Sequence, residues 1–180
     1  NAGFENFHEA SYSSAKSQEP NGWHSFMSST GSMASMVSAA IHTYASSEVR
    51  ENAAEDNKQC VKIVSTPVKV GSIVAASANG TITTGRLKAG SMTASSKDNC
   101  SFLDFSSADV DANGDPFYAV LNNKPDAMKV WVKFKDGDGN KNPKATTMLR
   151  KCLRQPWLPC QPALCLAAAA RARPIQTFCM

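Results

Sequence analysis

The residues best suited to chemistry fall into four groups. The clearest is the run from 128 to 135. Side chains alternate across a strand, so Met128, Val130, Val132 and Phe134 share one face and Lys129, Trp131, Lys133 and Lys135 the other. A tryptophan among cations on the wetter face offers an apolar ring and a polar tip, a platform on which a sugar ring can stack. The competing reading packs Trp131 beneath a loop or beneath C-terminal strands. The second group is Asp109, Asp111, Asn113, Gly114 and Asp115. Oxygen donors at alternate positions followed by glycine match the first half of a calcium loop. Val120 stands where that loop needs its bidentate acid, so a polar surface turn is the preferred reading and calcium the alternative. The third group, His8, His24 and His42 with Glu9, fits no metal-ligand spacing and reads as solvated or hydrogen-bonded. The fourth is the carboxylates, Glu5, Glu9 and Glu19 among them. A pair for glycoside hydrolysis converges in space rather than in sequence, and nothing ranks them. There is no Gly-x-Ser-x-Gly elbow and no phosphate loop.

These residues must be positioned by the elements around them. Residues 1–31 are rich in Ser, Asn and Gly with isolated aromatics, which predicts short strands and loops at a sheet edge. Met33, Met36, Val37, Ala40, Ile41 and Tyr44 recur at helical spacing and predict one short helix within 32–44. A charged loop covers 46–59. Strands are predicted at 60–65, ended by Pro67, and at 68–77. Asn79-Gly80 between two β runs predicts a hairpin whose return strand is 81–87, because both turn residues tolerate positive φ. Residues 95–127 read as a long loop around Phe102, Phe105, Phe117 and Tyr118. Many short strands with at most one or two short helices indicate an all-β sandwich. Cys60 and Cys100 either pair or stay buried thiols; spacing leaves this open.

Composition divides the chain. It has 180 residues, 42% hydrophobic and 19% charged, ordinary for a globular fold. No apolar run reaches the roughly 18 residues of a membrane-spanning helix. The chain opens at Asn1 rather than Met, which fits a fragment or processed product with any lipid anchor upstream. The net charge of +4 is uneven: residues 1–144 carry −1, and residues 145–180 carry +5 with no acid. That tail holds Cys152, Cys160, Cys165 and Cys179, and prolines at 156, 159, 162 and 174. Its cysteine gaps match no zinc pattern, and it lacks period-2 alternation. Only 163–173 could form a short helix. The tail reads as a shifted reading frame or unselected end that leaves the domain without its own C-terminal strands; a basic nucleic-acid or membrane-surface arm is the alternative. The near-neutral body is no nucleic-acid signature.

Four blocks carry a resemblance: "NAGFENFHEA", "NGWHSFMSSTGSMAS", "NGTITTGRLKAGSM" and "NNKPDAMKVWVKFK". In this order they resemble the carbohydrate metabolism domain family of surface and periplasmic lipoproteins of gut Bacteroidetes, over about residues 1–144. The resemblance implies a jelly-roll sandwich similar to carbohydrate-binding modules and galactose-binding-like domains. It also implies a structural calcium held by Glu5 and an acid on the last strand, although the acid-rich final segment is missing here. It carries over no catalytic residue. The expectation is a non-catalytic glycan-binding domain of a cell-envelope lipoprotein, facing the periplasm or the outer surface. Its partner is a polysaccharide or oligosaccharide, with no nucleic acid, and the membrane is met only through an upstream anchor. The glycan contacts expected are Trp23, His24, Arg86 and Trp131. Arg86 is included because it follows Gly85 at a strand end, where a forked guanidinium could reach hydroxyls. The candidate calcium ligands are Glu5, Asp109, Asp111, Asn113 and Asp115. The rivals are a glycoside hydrolase on the same sandwich and a structural or adhesion module.

Overall fold

The structure is a computed structural model that describes residues 3–40, 42–49, 51–70, 72–77, 79–93, 95–105, 108–119, 130–135, 144–150, 163–169 and 175–179. It is all-β. In chain order the strands are β1 Phe7–Tyr12, β2 Ala15–Pro20, β3 His42–Ser46, β4 Cys60–Val64, β5 Pro67–Val70, β6 Ile73–Ser77, β7 Thr81–Thr83, β8 Arg86–Ala89, β9 Asn99–Phe102, β10 Trp131–Lys135, β11 Lys144–Arg150, β12 Ala163–Ala169 and β13 Ile175–Cys179. A 3-10 turn at Phe26–Ser28 and helix α1, Ala34–Ser38, interrupt them.

β1 and β2 form an antiparallel hairpin around a two-residue turn, with Ser13 at φ 55° supplying the left-handed step. The register sets His8 directly opposite Glu19. β3 runs beside β2, tied to it by side chains: Thr43 Oγ1 donates to Gln18 O, and Gln18 Oε1 accepts from Ala45 N. β3 then opens a four-stranded antiparallel sheet in the order β10-β13-β4-β3. A second sheet is ordered β11-β12-β7, and β5-β6 and β8-β9 are separate hairpins. The main core joins β4 to β7: Phe4, Trp23, Val61, Ile63 and Ile82 are buried together, with Phe7, Val130 and Val132 against them. A smaller core under α1 gathers Val37, Val68 and Ala89.

Several sequence expectations are corrected. The helical pattern in 32–44 yields only the short α1; Tyr44 belongs to β3, because Thr43 is drawn into the interior and alternation takes over. Pro67 does not end a strand but begins β5, a position where its missing N–H is tolerated. The stretch 68–77 is not one strand but parts of the β5-β6 hairpin. Asn79-Gly80 makes no hairpin: β6 pairs with β5, and β7 pairs with β12. Gly80 is needed for a different reason. A Cβ there would stand 2.3 Å from Ile63 Cγ2, and its N–H donates to Ser65 Oγ at 2.6 Å.

The tail is interleaved rather than appended. β12 pairs with β7, and β13 lies between β10 and β4. The predicted helix in 163–173 is instead the strand β12. Its prolines at 156, 159, 162 and 174 all fall outside β11, β12 and β13, so each ladder keeps its donors. Cys60 and Cys100 are both free thiols, so they do not pair. The residues from 121 to 129, with Met128 and Lys129, lie outside the described ones.

Candidate functional site

Among the described residues, two places are organised enough to do chemistry. One is inside the protein. The β1-β2 hairpin sets His8 beside Glu19, the segment after β2 carries His24, and the turn around residues 111–115 brings Asp111. The turn is closed by Asp111 Oδ1, which accepts from Asn113 N at 2.9 Å and Asp115 N at 2.8 Å. His24 is fixed by backbone bonds in both directions between its main chain and that of Thr83.

His8, Glu19 and Asp111 meet tip to tip, and His24 reaches Asp111. His8 Nε2 lies 3.6 Å from Glu19 Oε2 and 3.3 Å from Asp111 Oδ2, and His24 Nε2 lies 3.2 Å from Asp111 Oδ2. Glu19 and His24 side chains are fully buried, Asp111 is 1% exposed and His8 9%. In each, one polar atom is anchored outward. His24 Nδ1 is 2.9 Å from Gly85 O, and His8 Nδ1 is 3.2 Å from Asn21 Oδ1. Glu19 Oε1 accepts from Ser25 N at 2.7 Å and Ser25 Oγ at 2.5 Å. The inward atoms, His8 Nε2, Glu19 Oε2, His24 Nε2 and Asp111 Oδ2, are all buried without a hydrogen bond of proper geometry.

The electrostatics follow from this packing. The Glu19 carboxylate beside it raises the pKa of His8 against the opposing effect of burial, with Asn21 and Asp111 adding to the rise. For Asp111, burial pushes upward, but the His24 ring, the Asp115 N–H and the charge of His8 together hold the carboxyl below its usual range.

Most residues expected to touch a glycan are placed elsewhere. Trp23 is 5% exposed and meets the Phe4 ring edge-on at 5.3 Å, so it is a core residue. His24 is buried in the cluster, against Phe117. Arg86 spends its donors internally: Nε donates to Ser28 O at 2.9 Å, Nη1 donates to Asp104 and Asp109, and the guanidinium lies 4.0 Å over Phe117. None of the three presents a surface to a sugar.

The expected calcium ligands likewise diverge. Glu5 accepts from Lys58 N at 3.0 Å, clasping the 51–59 loop. Asp109 is engaged by Arg86, Asp111 turns inward, and Asp115 Oδ2 accepts from Gly22 N at 2.8 Å and Asn113 Nδ2 at 2.9 Å. The turn is held by its own donors and by Gly22, with its carboxylates aimed in three directions.

The second place is the outer face of the four-stranded sheet. Val130 and Val132 pack on the core, so alternation turns Trp131 and Lys133 outward. Register sets Lys133, Thr177, Lys62 and Tyr44 in a row across the four strands. Trp131 is 42% and Tyr44 40% exposed. Strands lie about 4.8 Å apart and Trp131 stands two residues along β10 from the Tyr44 row, so the two aromatic residues are about 16 Å apart across the sheet. Lys133 on β10 pairs with Glu48, which follows β3, at 3.2 Å.

The internal cluster escaped the sequence because its parts lie at 8, 19, 24 and 111. The available signal was the hairpin: folding residues 7–20 about Ser13 places His8 opposite Glu19. Compared with known proteins, the chain matches no family model, no curated protein and no solved structure.

Proposed function

We propose that this protein is a non-catalytic, carbohydrate-associated β-domain that holds a glycan on the outer face of the β10-β13-β4-β3 sheet. The observation that carries the reading is the pair of exposed aromatic rings, Trp131 and Tyr44, on one sheet face with Lys62 and Lys133 beside them. Aromatic faces stack on the apolar side of a pyranose while ammonium groups reach its hydroxyls or an acidic substituent. Two aromatic residues about 16 Å apart by strand spacing and register suit an oligosaccharide chain rather than one sugar. The four sequence blocks give independent support, since they resemble the carbohydrate metabolism domain of envelope lipoproteins. On the same grounds the strands are read as a jelly-roll sandwich, and the site of action as the cell envelope.

The test is a panel of immobilised polysaccharides and oligosaccharides, probed with wild type, Trp131→Ala and Tyr44→Ala. Binding by wild type is expected to weaken at least tenfold in Trp131→Ala, about 1.4 kcal/mol. A wild type that binds nothing on the panel, or binding unchanged in both variants, overturns the proposal. Release of sugar from any member would replace the binding module with a glycoside hydrolase.

A further inference from the structure

We propose that His8, Glu19 and Asp111, with His24 held against Asp111, form a binding site for one divalent transition-metal ion of the zinc class, which ties the β1-β2 hairpin to the 111–115 turn. This site is separate from the outer sheet face, and it stands whether or not that face binds a glycan.

Proton placement argues first. His8 Nδ1 can bond the Asn21 Oδ1 acceptor only by donating, and His24 Nδ1 can bond Gly85 O only by donating. In the neutral ring this leaves Nε2 as a bare lone pair. Both Nε2 lone pairs then face carboxylate oxygens at 3.2 to 3.6 Å, acceptor against acceptor. Such an arrangement repels unless a cation sits between the tips. A proton on His8 is the competing source of that charge, yet none of the inward atoms makes a hydrogen bond of proper geometry. A shared metal ion satisfies the inward atoms of His8, Glu19 and Asp111 at once.

Geometry and donor type then select the ion. His8, Glu19 and Asp111 hold one donor each within 4.8 Å of one another, and His24 Nε2 stands beside Asp111 Oδ2. A tetrahedral ion with bonds of about 2.0–2.1 Å keeps its donors about 3.3–3.4 Å apart. Within the group, the separations of 3.3 and 3.6 Å from His8 Nε2 lie close to that edge. An imidazole with two carboxylates suits zinc and its first-row neighbours, whereas calcium prefers six to eight oxygens.

The outward anchors complete the pattern. Gly85 O and Asn21 Oδ1 orient the rings, and Ser25 and the Asn113 and Asp115 amides orient the acids. Metal ligands are held in this way by a shell of hydrogen bonds to their second atoms. Burial of the three ligand side chains shields the site from solvent.

The experiment uses the full chain, stripped with chelator, then titrated separately with Zn²⁺, Co²⁺ and Ca²⁺ in a calorimeter. One Zn²⁺ per chain is expected, bound at least 100-fold more tightly than Ca²⁺, with a raised melting temperature. Co²⁺ is expected to give the visible absorption of a four-coordinate nitrogen–oxygen site without thiolate charge-transfer bands, which separates this cluster from the six cysteines. Glu19→Gln and Asp111→Asn keep the outward acceptor oxygen and remove the inward carboxylate charge; each is expected to weaken Zn²⁺ binding at least 30-fold. The wild-type cobalt spectrum decides even where a variant fails to fold. No stoichiometric binding, a thiolate spectrum, preference for Ca²⁺, or folded variants that bind like wild type would each overturn the proposal.

Discussion

Replacing Ser25 with alanine removes a single hydroxyl that does two jobs. Ser25 Oγ donates to Glu19 Oε1 at 2.5 Å and accepts from Met27 N at 3.1 Å, where it caps the 3-10 turn. Ser25 and Glu19 are both fully buried. A hydrogen bond to a charged group contributes about 1.5–3 kcal/mol, and loss of a serine cap costs typically about 1 kcal/mol. Ser25 N–H still donates to the same carboxylate oxygen at 2.7 Å, so Glu19 is not stranded. The retained bond places the loss toward the low end of the combined values, about 2–3 kcal/mol. For a chain of this size that lowers Tm by roughly 4–12 °C. Scanning calorimetry and urea unfolding would measure it, with an unchanged urea slope to show that only stability moved. Ser25→Thr keeps a hydroxyl and should lose less. Ser32→Ala removes an exposed hydroxyl bonded to Gly90 O and should stay within about 0.5 kcal/mol of wild type. If Ser25→Ala also falls within that margin, the hydroxyl does not hold the carboxylate as described.

Two further outcomes are expected. Gly80→Ala would drive its Cβ to 2.3 Å from Ile63 Cγ2 in the core, an overpacking that costs about 1–3 kcal/mol; a cycle with Ile63→Ala should show strong non-additivity, and simple addition would refute the contact. A chain ending at residue 143 removes β13, the strand that joins β10 to β4, and with it the hold on Val130 and Val132 over Val61 and Ile63. Each such side chain contributes about 1.5–3 kcal/mol when buried, so the truncated chain should lack a cooperative melt by near-ultraviolet circular dichroism. A melt equal to that of the full chain would mean that residues 144–180 add nothing and that the reading-frame interpretation of the tail is the better one.

The β character was legible because it rests on local alternation. Trp131 could be placed on an outward face from its neighbours alone, since Val130 and Val132 fix the inward one. What depends on distant partners was not legible. Gly80 follows an asparagine and looks like a turn glycine, yet its role is set by Ile63 on another strand. Arg86 looked like a surface donor because Asp104, Asp109 and Phe117, which consume its guanidinium, lie in a loop with no periodic pattern. Trp23 differs from Trp131 only in what covers it, here Phe4. The histidine–carboxylate cluster illustrates the same limit: half of it follows from one hairpin register, and Asp111 arrives only through the fold of a remote turn.

The position of β13 governs the order in which this molecule can assemble. Ile175 pairs with Val64, so the sheet is joined across more than a hundred residues, and its last strand enters the middle rather than the edge. During synthesis β4 keeps one edge open until residues 175–179 have left the ribosome. Folding is then limited by a late, long-range closure, slow by the rule that links non-local pairing to rate. The waiting intermediate shows neighbouring chains an unpaired β4 edge, the surface on which chaperones and self-association compete.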